Sequence, residues 1–130
     1  TGKIYPVFRR DLVLLCVNNS IILLMYIRLE DNLTKKYYQE IVEKALVIAK
    51  EEYEESPDIP INISLYNQLL DIKRTVISEH KVYTEDEADQ KYSLGIMAIR
   101  NFDGYENFDY KDMLVDVAFG ISLYPGMPIE

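Results

Sequence analysis

Thr34-Lys35-Lys36-Tyr37-Tyr38-Gln39-Glu40-Ile41-Val42-Glu43-Lys44-Ala45-Leu46-Val47-Ile48-Ala49-Lys50-Glu51-Glu52-Tyr53-Glu54-Glu55 carries a helical repeat from end to end. Tyr38, Ile41, Val42, Ala45, Leu46, Ala49 and Tyr53 recur at the three- and four-residue intervals of one helix face. Lys36, Glu40, Glu43, Lys44, Lys50, Glu51 and Glu54 fall on the other, so the stretch predicts an amphipathic helix with one buried side. Lys36–Glu40 and Glu40–Lys44 stand four residues apart, where an ion pair adds roughly a few tenths of a kcal/mol. Asn32-Leu33-Thr34 offers the start signal. Ser56-Pro57-Asp58 stops the helix, because proline has no N–H to donate and restricts the residue before it; Pro60 keeps the connection extended.

Downstream, Ser64 can cap a helix over about 65–78 with Leu65, Leu69, Ile72 and Val76 as its buried stripe. Thr84-Glu85-Asp86-Glu87 has the spacing of a capping box, in which Thr84 accepts from the amide three residues on and Glu87 reaches back. The helix it opens is expected to run to about Phe102, burying Ala88, Tyr92, Gly95, Ile96 and Ile99, and to end at Asp103-Gly104. Asp109 caps a last helix over about 110–123, with Met113, Leu114, Val117, Ala118 and Ile121 inward and Pro125-Gly126 closing it. Upstream, residues 1–10 read as an irregular lead-in. Residues 11–31 are expected to form the first helix, apolar nearly all round and hence central; two short strands are the alternative, given the Val and Ile content. The chain therefore predicts an all-α fold, a single-domain bundle of about five helices over residues 1–130.

The 130 residues are one domain's worth, and 48% hydrophobic content suits a globular chain. One Cys (Cys16) excludes an internal disulfide and multi-cysteine zinc sites, and one His (His80) removes most base–nucleophile pairs. Asp plus Glu number 22 against 14 Lys plus Arg, a net charge of −8. That charge repels phosphate backbones and anionic lipids, so neither nucleic acid nor membrane is an expected partner, and it draws a basic protein. Arg9-Arg10 precede the apolar run Leu12 to Val17, but Asn18-Asn19-Ser20 breaks it well short of the ~18 apolar residues of a membrane span. The run also lacks the small-residue cleavage site of a secretory signal. The expected location is the cytoplasm.

No catalytic, cofactor-binding or metal-ligating residue is expected. His80 directly follows Glu79, which puts the two about 100° apart on a helix, and no Glu-x-x-His pair exists. Cys16 sits in the most apolar segment and reads as a small hydrophobe. One carboxylate pattern is similar to that of the all-helical, Mg²⁺-dependent nucleotide pyrophosphohydrolases: Glu40-x-x-Glu43 followed by Glu55-x-x-Asp58. Pro57 interrupts its second half, and Glu40 and Glu43 lie on the solvated face, so this enzyme reading is the alternative.

Two stretches point to partner binding. Glu51, Glu52, Glu54 and Glu55, with Asp58 beyond, crowd a helix C-terminus, where the helix dipole opposes negative charge; rules broken locally tend to mark function. Asp103, Tyr105, Glu106, Phe108 and Asp109 mix acids with aromatics in an expected loop, the chemistry of interface anchors that meet a basic partner.

The order of parts then carries a resemblance. An apolar first helix, as expected over 11–31, leads to Tyr38-Gln39-Glu40-Ile41-Val42-Glu43-Lys44-Ala45-Leu46 and an acidic end. A proline joint, Leu65-Tyr66-Asn67-Gln68-Leu69-Leu70, Gly95-Ile96-Met97-Ala98-Ile99 and a proline-containing tail follow. Over about residues 11–128 this resembles the small, acidic, all-helical immunity proteins of bacterial polymorphic-toxin and contact-dependent growth-inhibition systems. One such family is marked by a tryptophan that this chain lacks. The resemblance implies a protein that binds a cognate toxin, often a basic nuclease, and blocks it with acidic side chains. It brings no active site with it. A helical regulatory or phage-encoded inhibitor would share the pattern.

Overall fold

Helix α1 spans Lys35–Glu55, the limits its sequence signals set. The Thr34 hydroxyl accepts the Tyr37 amide at 3.1 Å, satisfying one of the free donors of the first turn. Two more donors are met from the far end of the chain, where Lys35 and Lys36 amides donate to the Pro128 and Ile129 carbonyls at 2.8 and 3.0 Å. The computed structural model describes residues 12–17, 20–102 and 109–130. Tyr38, Ile41, Val42, Ala45, Leu46 and Ala49 are buried as the periodicity requires, and Tyr53 is half-buried at the edge of the stripe. Neither Lys36–Glu40 nor Glu40–Lys44 closes into an ion pair; Glu43 instead reaches across to Lys73 at 2.8 Å.

Helix α2, Pro60–Ile72, begins four residues before the expected Ser64 cap. Pro60 occupies its first position, where an amide would be unbonded in any case and the fixed φ suits a helix, so this proline starts the element rather than keeping the chain extended. A π-helical segment, Lys73–Ser78, continues it to the expected end. Leu65, Leu69, Ile72 and Val76 are buried as expected. The exposed His80 then reverses the chain with φ 57°, a helix-terminating role.

Helix α3, Glu85–Lys91, carries the full capping box: Glu87 N–H donates to the Thr84 hydroxyl at 3.1 Å and Thr84 N–H to the Glu87 carboxylate at 2.9 Å. The expected continuous helix to Phe102 is two helices. Tyr92 turns extended (φ −122°, ψ 122°), and α4 restarts at Leu94–Phe102. The break is made by α2. Gln68 accepts the Ser93 amide at 2.8 Å through Oε1 and donates to the Ser93 hydroxyl at 3.1 Å through Nε2, capping α4 from another element. Restarting the helix shifts its phase. Leu94 and Ala98 take the buried positions, while Ile96 and Ile99, expected inside, are 58% and 50% exposed.

Helix α5, Asp109–Gly120, buries Tyr110, Met113, Leu114 and Val117, with Ile121 beyond its end. Ala118 is only half-buried. A 3₁₀ turn at Tyr124–Gly126 follows. At the other end of the chain, the expected helix over 11–31 does not form. Leu12–Val17 (β1) and Ser20–Met25 (β2) make an antiparallel hairpin, paired from Leu12↔Met25 to Val17↔Ser20. The reason is physical. A segment apolar on every face has no single 3.6-residue stripe to favour helix, and its Val and Ile suit strands. A 3₁₀ turn at Leu29–Asp31 leads into α1.

The fold class is all-α in its body, with five α-helices among the described residues and the hairpin ahead of them. α1 packs on α2 and α5, and α4 packs on α5 and α2. Tyr38 stands at the α1–α5 crossing, fully buried, its hydroxyl donating to the Val117 carbonyl at 2.8 Å and its ring 5.3 Å from that of Tyr124. Gly120 makes the crossing possible, since a Cβ there would lie 2.5 Å from the Tyr38 ring. Each large side chain buried in this core is worth about 1.5–3 kcal/mol.

Candidate functional site

The acidic end of α1 is built by the joint to α2. Its last turn contains no basic residue, so its carbonyls need another partner. The buried Asn62 side chain supplies one, donating through Nδ2 to the Glu52 and Ser56 carbonyls at 3.2 and 3.0 Å. Tyr53 of α1 and Tyr66 of α2 stack across the joint, ring centres 5.9 Å apart and planes at 21°. Glu51, Glu54, Glu55 and Asp58 are exposed around this joint, and Glu52 is half-buried. Ile59, next to Asp58, is 48% exposed. The end of α1 and the joint thus carry five carboxylates, a stacked pair of half-buried tyrosines and one exposed aliphatic side chain. Such a surface can bury aromatic area against a partner while its rim meets positive charge. Sequence reasoning placed Tyr53 in the core and gave Tyr66 no part in a site. The signal was that both fall at the margins of their buried stripes, where a large side chain is only partly covered.

Of the second expected cluster, Asp103, Tyr105, Glu106 and Phe108 lie outside the described residues. Asp109 opens α5 and is half-buried.

The pyrophosphohydrolase pattern fails on distance. Glu40, Glu43 and Glu55 share one helix, and the fifteen residues from Glu40 to Glu55 span about 22 Å at 1.5 Å per residue. Four carboxylates so placed cannot converge on one Mg²⁺, whose oxygen ligands stand at about 2.0–2.1 Å. Among the described residues no group of His, Cys, Asp and Glu side chains is arranged to hold a metal ion. Glu40 and Glu43 instead border an open groove of about 460 Å³ with Lys36, Gln39, Lys44 and Ile77, a lining of mixed charge.

Two carboxylates that the sequence did not single out have structural roles. Asp116, 3% exposed on α5, accepts the Tyr26 hydroxyl at 2.7 Å, the Leu29 amide at 3.0 Å and the Arg28 guanidinium at 2.8 Å. Burial, then the bond to Asp116, pushes the Tyr26 hydroxyl far above its ordinary range. This anchor fixes the chain that leaves the hairpin onto α5. Asp71 accepts the Tyr92 hydroxyl at 2.5 Å and pairs with Arg74, also at 2.5 Å, with Lys91 at 3.7 Å. The Tyr92 bond above all, and then Arg74 and Lys91, hold the Asp71 carboxyl below the usual carboxylate range. Both groups are committed to holding elements together. No described helix is long and apolar enough to cross a membrane.

Comparison with known proteins returns one family. The family model Tsi6 matches residues 37–122, which is more than half of the chain and reaches from α1 into the turn after α5. No curated protein and no solved structure matches.

Proposed function

The chain belongs to the Tsi6 family of type VI secretion immunity proteins, and on that premise we propose that it neutralises its cognate toxin by docking the acidic end of α1 onto a basic face of that toxin. It is an immunity protein of a bacterial toxin system. The observation that supports the docking site is the crowding of Glu51, Glu52, Glu54, Glu55 and Asp58 at the end of α1 and its joint, where Tyr53 and Tyr66 stack half-buried. These acids sit at the negative end of the helix dipole, in a last turn that holds no basic residue, so a basic partner is electrostatically favoured there. Tyr53 and Tyr66 are the anchors, and the carboxylates speed and orient the encounter.

The family's association favours delivery of the toxin by type VI secretion over contact-dependent growth inhibition. A basic nuclease is the narrower form of the partner, because a phosphate-binding groove offers the positive face that the acids require. The protein acts in the cytoplasm, without nucleic acid, membrane or cofactor, and without turnover. Asp103, Tyr105, Glu106, Phe108 and Asp109 form a second contact region.

The test reverses Glu51, Glu54 and Asp58 to Lys. Lysine near a helix C-terminus is favoured by the dipole, so the variant keeps its fold and lost binding reports the interface. Association with the toxin should slow by about tenfold or more at low salt and lose most of its salt dependence. A triple variant that binds and protects like the parent removes the acidic docking face. Assaying the captured toxin on nucleic acid checks the nuclease reading separately. Incubation of the purified protein with Mg²⁺ and nucleoside triphosphates checks the absence of turnover; hydrolysis lost in Glu40→Gln would overturn it.

A further inference from the structure

We infer that the N-terminal hairpin is a self-association surface, through which two copies of this chain pair edge to edge into a four-stranded antiparallel sheet. Among the described residues β1 and β2 pair only with each other, so within those residues each strand has one edge whose N–H and C=O groups no other strand takes up. An isolated two-stranded hairpin is marginally stable in water, and added strands are one way to stabilise it. Natural edges are blunted by lysine, proline or a bulge. From Leu12 through Ile27 this chain has no charged residue and no proline, and the register runs from Leu12↔Met25 to Val17↔Ser20 without a bulge.

The occupant follows from charge. A basic toxin gains no Coulomb attraction from an uncharged ribbon and is drawn to the carboxylates elsewhere. A second copy, carrying the same net charge of −8, is repelled by the acidic surfaces and meets least repulsion at this neutral segment. A strand edge is also self-complementary under a two-fold axis, which is what a dimer of identical chains requires. The hairpin lies ahead of residues 37–122, the part shared with the family, so this pairing is separable from toxin binding.

Sedimentation velocity of the full chain over a range of concentrations, at low and high salt, tests it. The expected result is a dimer that tightens as salt rises, because screening removes the acidic repulsion; toxin binding through carboxylates weakens under the same change. Leu14 and Leu23 stand opposite each other in the hairpin. In Leu14→Lys and in Leu23→Lys like charges approach across the two-fold, and the dimer of the variant that lies on the pairing edge should weaken about tenfold or more. In the parent, the amides of β1 and β2 should exchange hydrogen more slowly at high protein concentration than at low, a readout that needs no substitution. A chain that is monomeric at every concentration and salt overturns the inference. So does a dimer that both substitutions leave intact while hairpin exchange ignores concentration.

Discussion

Gly120→Ala should destabilise the protein although alanine is the better helix former. Losing glycine's extra backbone freedom in the unfolded chain gains about 0.5–1 kcal/mol. Against this, the new Cβ would stand 2.5 and 2.7 Å from two carbons of the Tyr38 ring and 2.9 Å from Leu29 Cδ2. Carbon atoms prefer about 3.5–4.0 Å, so α1 and α5 would have to separate or Tyr38 would have to turn. The ring is held on both sides, by its hydroxyl on the Val117 carbonyl at 2.8 Å and by Tyr124 at 5.3 Å. Overpacking of this kind costs about 1–3 kcal/mol, and with so little room the upper part of that range or somewhat more applies. The net loss is about 2 kcal/mol. For a chain of this size that is roughly 6–10 °C in Tm, which thermal unfolding followed by circular dichroism resolves. Gly126→Ala is the matched control, because nothing lies within 4 Å of the Cβ it would add; it should stay within about ±0.5 kcal/mol. A Gly120→Ala protein as stable as the parent, or more so, would refute the close-packed crossing on which the placement of α1 rests.

Asp116→Ala strands the Leu29 amide and releases Tyr26, while the half-exposed Arg28 returns to water; urea unfolding should show a loss of about 2–4 kcal/mol. Gln68→Ala removes the bonds that cap α4 at Ser93 and should cost about 1 kcal/mol, with faster amide exchange in the first turn of α4 than in α1. The Asp71 carboxyl is held low by Tyr92 and Arg74, so its folded pKa lies below its unfolded one. Its stabilising contribution is present above the ordinary carboxylate range and disappears as pH falls through the depressed value. Acid titration of Asp71→Asn should therefore show a shallower loss of stability below about pH 4 than the parent shows.

Several local signals were read correctly, although Ser64 was taken for a cap that the helix starting at Pro60 does not use. α1 ends where its cap and its proline signal say, and Thr84 and Glu87 close their capping box, because those bonds join residues three or four apart. The buried stripes of α1, α2 and most of α5 followed from period alone. The acidic end of α1 was equally legible, since charge at a helix terminus needs no knowledge of neighbours. The Tyr53–Tyr66 stack at its centre was not, because it joins two helices across a joint that a proline starts rather than merely separates.

The remaining features depend on residues distant in sequence. Gln68 splits α3 from α4 by bonding Ser93, and this one contact turns Ile96 and Ile99 outward. Asp116 reads as one more surface acid of an acidic chain, yet it is buried by Tyr26, Arg28 and Leu29, almost ninety positions away. The first segment, apolar at nearly every position, satisfies a helix and a strand equally by pattern, and pairing between its own halves made it a hairpin. By itself the sequence determined the helical class, the helix ends that carry their own caps, and the net charge of −8. Tertiary structure decided which faces are covered and where an apolar or ambiguous segment pairs, because burial and long-range hydrogen bonds are properties of two elements together and neither element's residues encode them alone.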